Sequence, residues 1–138
     1  MPFYVLAFTS YPFSYDQYEN PSILISNDGL RFYEEQKGMN PLVPPPAFDH
    51  NDDPDLLYSQ GNWYLVYLET LRPSKQRLIL LESENRIDWK KSILSTYDFV
   101  NSSGHPFIVS PSLIEDNGKK YLFYVNRSVS PYRIEYYE

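Results

Sequence analysis

Acidic side chains and a histidine crowd between Asp49 and Asp53, directly before Pro54 and an apolar, aromatic-rich run. Two carboxyl groups that flank a glycosidic bond can hydrolyse it, one as the acid and the other as the base or nucleophile. A histidine such as His50 can orient a carboxylate or contact a substrate. The segment therefore has the residue types for carbohydrate chemistry, provided that a second carboxyl group lies within reach.

The same residues also have simpler explanations. Asp52 and Asp53 can cap backbone amides of the turn before Pro54, because short acidic side chains accept hydrogen bonds from nearby backbone groups. His50, Asp52 and Asp53 could hold a metal ion, but their spacing is not diagnostic of one. From the sequence we expect neither a metal nor another cofactor.

The composition narrows the class of protein. The net charge of the 138-residue chain is −6, which disfavours a sequence-independent nucleic-acid binder and docking on anionic membranes. The absence of cysteine excludes disulfides and thiolate metal sites, and no apolar run is long enough to span a membrane. The 14 tyrosines and 8 phenylalanines are typical of strands and of binding surfaces.

The N-terminal stretch MPFYVLAFTSYPF is apolar but has no basic region and no small-residue cleavage site, which a signal peptide requires. We interpret it as a strand and expect a cytoplasmic location. The glycosylation motifs at Asn101 and Asn126 are then chance matches.

Short aromatic or β-branched runs dominate the chain, and helix signals are almost absent. Asp-Gly, Gly-Asn and Asn-Gly pairs between these runs mark hairpin turns, because glycine tolerates positive φ. A rigid connector with three consecutive prolines cannot belong to a central strand. The sequence predicts hairpins over residues 22–35, 53–71, 76–94 and 110–128, single strands over 4–13 and 132–138, and a connector over 40–48.

These strands repeat. DPDLLYSQGNWYLVYLE aligns with SPSLIEDNGKKYLFYVN, which lies 57 residues later, and SILISNDGLRF resembles LILLESENRIDW. One unit contains four strands, A to D. The chain has strands B to D of a first unit, all four strands of a second, and strands A to C of a third. Four antiparallel strands repeated at about 40 to 60 residues are typical of β-propeller blades. A sandwich with coincidental similarity is the alternative.

The repeat resembles the five-bladed β-propeller glycoside hydrolases, namely the arabinanase, xylosidase and β-fructosidase-like families and the related mannoside phosphorylases. The resemblance lies in a strand A opened by Asp-Pro, an aromatic strand B of the WYLVY type, and a C-D hairpin of the S-x-D-G-x-x-[FW] type. It covers the whole chain. It implies an all-β fold and a single partial propeller domain over residues 1–138, with blade pieces at about 1–38, 39–96 and 97–138.

A five-bladed ring of such repeats needs about twice this length, so the chain holds about two and a half blades, or about half of the ring. Bare sheet edges invite association. We therefore expect either a homo-oligomer or a missing remainder of a longer chain.

In such a blade, the start of strand A, the B–C loop and the start of strand C lie on one face. The resemblance implies that Asp53, at the start of an innermost strand, is the catalytic base or nucleophile. Glu19 and Glu69 are the candidates for the acid. The expected substrate-binding residues are His50, Asp52, Arg72, Tyr11, Tyr18, His105 and Arg127.

Several of these residues also have structural explanations. Ser110 replaces Asp53 in the next repeat, so that unit does not supply the same group. Glu19 can equally be a solvated loop charge, Glu69 and Arg72 an exposed ion pair, and His105 an ordinary loop residue. The sequence favours a glycoside hydrolase-like protein that acts on a carbohydrate with paired carboxylates. The alternatives are a non-catalytic glycan-binding or assembly module and a truncated remnant of a propeller enzyme.

Overall fold

The computed structural model describes residues 3–10, 14–47, 49–71, 75–98, 108–128 and 130–138. In that part of the chain the fold is all-β, apart from a short 3₁₀ turn at Asp16–Tyr18. No helix within those ranges is long and apolar enough to cross a membrane. The strands are β1 (Tyr4–Thr9), β2 (Pro21–Ser26), β3 (Asn51–Ser59), β4 (Asn62–Leu71), β5 (Lys75–Ser83), β6 (Lys90–Asp98), β7 (Ile108–Asp116), β8 (Lys119–Asn126) and β9 (Arg133–Tyr137).

The described residues form three antiparallel sheets that follow one another along the chain: β1-β2, then β3-β4-β5-β6, then β7-β8-β9. Within each sheet every strand pairs with its neighbour in sequence, which is the meander of a propeller blade. The observed order is the one that the repeats predict, with strands B and C in the first sheet, A to D in the second and A to C in the third.

Within the described residues, strand D of the first unit is missing from this order. Where the sequence predicts a full hairpin partner for β2, the structure has a single bridge between Ile25 and Tyr33. The reason lies in the intervening turn, where Asp28 Oδ1 accepts hydrogen bonds from the backbone amides of Leu30 and Arg31. These amides are satisfied locally by a side chain, so the chain forms a loop there and not a ladder.

The two tight hairpin turns occur where the sequence predicts them. Gln60 and Gly61 connect β3 to β4 with φ of 50° and 87°, and Asn117 and Gly118 connect β7 to β8 with φ of 51° and 77°. Positive φ at both central residues is the geometry of a type I′ turn, whose twist matches that of the flanking strands.

The second sheet lies between the other two. Its strand β4 is buried on both faces, because successive side chains of a strand point to opposite sides. Leu65 and Tyr67 join one buried cluster with Ile23 of β2. Val66 and Leu68 join the other cluster, which contains Ile108, Leu122 and Tyr124 of the third sheet. Face-to-face stacking of consecutive sheets is the packing expected of blades.

Strands β3 and β7 carry β-bulges at equivalent positions. The register with the next strand shifts between Asp52 and Asp55 in β3, and between Val109 and Ser112 in β7. A bulge adds a residue on one strand and re-aims the side chains around it. The bulge in β3 therefore decides where the acidic start of that strand points.

Candidate functional site

Three chain segments meet at one end of the second sheet. The amide of Asn51, the first residue of β3, donates to the carbonyl oxygen of Glu19 at 3.0 Å, and the amide of Thr70 in β4 donates to the carbonyl oxygen of His50 at 2.9 Å. Asn51 also lies opposite Glu69 in the β3–β4 register. The loop before β2, the start of β3 and the end of β4 are thus joined, as the blade geometry predicts.

His50 is the centre of the site. Its side chain is nine-tenths buried, and Nδ1 makes a very short contact with Asp49 Oδ1. On the other side of the ring, Nε2 lies 3.1 Å from Asp52 Oδ2 and 4.0 Å from Glu19 Oε2. We call Glu19, Asp49, His50 and Asp52 the histidine–carboxylate cluster. Asp49 is the member whose role the sequence did not indicate.

The contacts within the cluster perturb the ionisation of His50 and Asp52. Burial alone would lower the pKa of His50, but the hydrogen bond to Asp52 and the charges of Asp52 and Asp49 outweigh it and raise the pKa to about 9. Burial raises the pKa of Asp52, and the hydrogen bond and charge of His50 oppose this. The Oδ1 atom of Asp52 is buried without a hydrogen-bond partner. Perturbed groups of this kind concentrate at functional sites.

The donor atoms of the cluster converge. One ligand atom each from Glu19, His50 and Asp52 lies within 4.8 Å of the other two. The set differs from the combination considered in the sequence, because Glu19 takes the place of Asp53. An imidazole nitrogen and two carboxylate oxygens are a donor set that can hold a divalent metal ion.

Asp53 directly follows the cluster in the chain, and its side chain contacts the next sheet. The residue is exposed and has a φ of 51°, a left-handed conformation that few residues other than glycine adopt. Its Oδ2 accepts a hydrogen bond of 2.9 Å from the backbone amide of Ser110. Asp53 therefore caps backbone in the next repeat, while its exposure leaves it open to a ligand.

Glu69 is buried in a network of ion pairs. Its Oε2 lies 3.1 Å from Arg77 Nη1 and its Oε1 lies 2.8 Å from Lys91 Nζ, so the network spans β4, β5 and β6. The exposed pair with Arg72 that the sequence allowed would need an exposed glutamate, and the Glu69 side chain is only 9% exposed. The β4–β5 register, in which Arg77 faces Glu69, is the signal that could have revealed this partner.

The remaining predicted residues are partly described. Tyr18 is exposed and, with Gln17, Ala47, Asp49 and the prolines Pro45 and Pro46, lines a shallow groove that we call the proline–tyrosine groove. Because Asp49 also belongs to the cluster, the groove opens beside it. Arg127 follows β8 and stacks over Tyr132, with Cζ 5.3 Å from the ring centre. Tyr11, Arg72 and His105 lie outside the described residues.

No protein family model matches the chain. Over 68 residues, or 49% of the chain, it is 31% identical to the sucrose-6-phosphate hydrolase of Bacillus subtilis. The matched residues are only 14% of that hydrolase.

Solved structures resemble almost the whole chain. They include an N-acetylgalactosamine deacetylase from F. plautii in complex with blood group B trisaccharide, with a TM-score of 0.72, 19% identity and coverage of 96% of this chain and 45% of that one. A β-fructofuranosidase of Bombyx mori has a TM-score of 0.63 and 22% identity, and the match covers 98% of this chain and 31% of that one. An α-L-arabinanase of Cellvibrio cellulosa complexed with arabinohexaose has a TM-score of 0.60 and 13% identity, and the match covers 96% of this chain and 48% of that one.

The chain spans less than half the length of each of these proteins. Likeness at such low identity establishes the fold alone. The prediction of an all-β, partial propeller is thereby confirmed, and the sandwich alternative is wrong. The chain carries part of a β-propeller fold.

Proposed function

We propose that this protein binds a carbohydrate at the end of the second sheet and hydrolyses a glycosidic bond there. The convergence of Glu19 and Asp52 on the buried ring of His50 is the observation that carries the proposal. It gathers carboxyl groups from two chain segments at one end of a sheet, beside an exposed Asp53. Paired carboxyl groups are what glycoside hydrolysis requires.

The contacts favour particular roles. Asp53 is exposed, so it can act as the base or nucleophile. Between the two candidates for the acid, Glu19 is favoured over Glu69, because both carboxylate oxygens of Glu69 are already bound by the cations of Arg77 and Lys91. A carboxylate held on both oxygens is poorly placed to deliver a proton to a leaving group.

The proline–tyrosine groove provides a surface for a sugar ring. Aromatic rings and proline faces pack against the apolar face of a sugar, and a few polar groups fix its orientation. Tyr18 offers such a ring, and Asp49 lies at the edge of the same groove. Arg127, Arg72, Tyr11 and His105 are proposed as further contacts.

The names of the similar proteins suggest a first panel of sugars: sucrose, arabino-oligosaccharides and blood group B trisaccharide. Release of reducing sugar from this panel should be measured with the wild type, Asp53→Asn, Glu19→Gln and the control Glu84→Gln. Glu84 is an exposed carboxylate in the β5–β6 connection. We expect turnover to be lost in Asp53→Asn and reduced in Glu19→Gln, with unfolding midpoints unchanged. Turnover that survives in Asp53→Asn would refute the assigned role.

A non-catalytic glycan-binding or assembly module is the second candidate. Two observations favour it, namely the backbone-capping role of the Asp53 carboxylate and the fully engaged carboxylate of Glu69. Calorimetric binding of a sugar from the panel without release of reducing sugar would select this candidate over the hydrolase.

The completion of the ring is part of the same proposal. Edge strand β9 exposes Ile134 and Tyr136, at 75% and 61%, and an exposed apolar edge invites pairing. We propose that further copies or a longer chain cover it. Light scattering coupled to size exclusion should give a mass above that of the 16.3 kDa chain if copies associate. If the protein has the mass of a monomer, a longer chain remains as the only proposed way to cover the edge strand.

A further inference from the structure

We propose that Glu19, His50 and Asp52 form a binding site for one divalent transition-metal ion, with Asp49 holding the histidine ring in place. This inference does not depend on glycoside hydrolysis, and a Glu19 carboxylate that binds the ion would not also act as the proton donor. It concerns what the histidine–carboxylate cluster binds, and it can be tested without a substrate.

The first argument is the distance between donor atoms. His50 Nε2 lies 3.1 Å from Asp52 Oδ2 and 4.0 Å from Glu19 Oε2, and the three ligand atoms lie within 4.8 Å of one another. Donors that share an ion at about 2.0 to 2.2 Å lie no more than about 4.4 Å apart. Small rotations of the two carboxylates are therefore sufficient to place all three donors around one ion.

The second argument is the orientation of the imidazole ring. Metal-binding histidines commonly donate their other ring N–H to a carboxylate, which fixes the tautomer and aims the free nitrogen at the metal. Asp49 Oδ1 contacts His50 Nδ1 in this way, so Nε2 is the nitrogen directed at Asp52 and Glu19. Because the ring is nine-tenths buried, this orientation is set before any ion arrives.

The third argument is the state of Asp52. Its Oδ1 atom is buried and accepts no hydrogen bond, although burying a carboxylate oxygen without a partner is costly. A cation bound at the Oδ2 side would compensate the buried charge of the whole carboxylate.

The donor set indicates the class of ion. Imidazole favours zinc and its neighbours, whereas carboxylates also suit manganese, and the chain has no cysteine to select softer metals. Three protein ligands would leave at least one coordination position open for water or a hydroxyl group of a ligand. We therefore expect Zn²⁺ or Mn²⁺ to bind.

The test uses the full chain, first treated with a chelator and then dialysed. It is titrated with ZnCl₂ and with MnCl₂ by calorimetry, and bound metal is counted by elemental analysis. We expect one ion per chain, and affinities reduced by about 10- to 100-fold in Glu19→Gln, Asp52→Asn and Asp49→Asn. The control Glu84→Gln changes a carboxylate outside the cluster and should bind like the wild type.

Two results would overturn the proposal. The first is the absence of stoichiometric binding of either ion by the wild type. The second is equal affinity in Glu19→Gln, Asp52→Asn and Glu84→Gln, which would place the ion elsewhere. Glu19 is partly exposed, so Glu19→Gln should fold even if a variant at a more buried position does not, and circular dichroism of each variant checks this.

Discussion

Asp53 and Ser110 hold the same position in successive repeats, and Asp53 Oδ2 accepts a hydrogen bond of 2.9 Å from the backbone amide of Ser110. Two residues further along, Asp55 Oδ2 accepts hydrogen bonds from Ser112 Oγ at 3.0 Å and from the amide of Leu113 at 2.7 Å. The innermost strands of neighbouring sheets are thus joined at equivalent positions. Because β3 and β7 are joined in this register, the starts of the two strands lie at the same end of their sheets. The acidic segment from Asp49 to Asp53 lies at this end.

Asp55 should contribute to stability by joining β3 to β7. Asp55→Ala removes the acceptor of both hydrogen bonds and leaves the partly buried amide of Leu113 without its partner. We expect the free energy of unfolding to fall by about 1 to 3 kcal/mol, measured by urea denaturation. Glu84→Ala, which removes an exposed carboxylate, is the control and should change it by less than about 0.5 kcal/mol. Equal values for the two variants would mean that the sheets are not joined through Asp55.

The left-handed backbone at Asp53 makes a separate prediction. Asn tolerates positive φ, whereas a β-branched residue does not. We therefore expect Asp53→Asn to keep the wild-type unfolding midpoint in urea, and Asp53→Val to lose about 1 to 2 kcal/mol of stability. If Val and Asn gave the same midpoint, the bulge at β3 would have to be absent or relaxed in solution.

Removal of the hydroxyl groups of two buried tyrosines should change the free energy of unfolding in different ways. The hydroxyl of Tyr67 is buried without a hydrogen-bond partner, whereas that of Tyr124 donates to Glu135 Oε2 at 2.9 Å. Tyr67→Phe should leave the free energy of unfolding unchanged or increase it, because a desolvated polar group is removed. Tyr124→Phe should decrease it by about 0.5 to 1.5 kcal/mol. The same thermal or urea unfolding experiment measures both, and a larger loss in Tyr67→Phe would contradict the burial pattern.

Glu69 can be assigned a role by comparing stability with turnover. Glu69→Gln removes a buried charge that Arg77 and Lys91 share, so we expect a loss of about 1 to 3 kcal/mol. The loss should shrink when Lys91→Met is already present, since the two residues interact. A Glu69→Gln protein that is as stable as the wild type but hydrolyses no sugar would instead identify Glu69 as the acid.

The sequence predicts the strand order well, because the hairpin turns are marked by short local motifs and the 57-residue repeat is visible when segments of the chain are compared. It also predicts that Glu19, His50 and Glu69 come near one another, since blade geometry places those loops at one end. The ion pairs of Glu69 depend on cross-strand register, and the bulge at Asp53 carries no glycine to reveal its positive φ. The central place of His50 could not be predicted, because it depends on which carboxylate each ring nitrogen faces.

Calorimetric titration of the sugar panel into the wild type, Tyr18→Ala and Glu84→Gln tests most directly whether the acidic end of the second sheet is a carbohydrate site. We predict saturable binding of at least one sugar by the wild type, binding at least about tenfold weaker in Tyr18→Ala, and unchanged binding in Glu84→Gln. Absence of saturable heat with every sugar, or equal affinity in all three proteins, would contradict the assignment of this surface to carbohydrate.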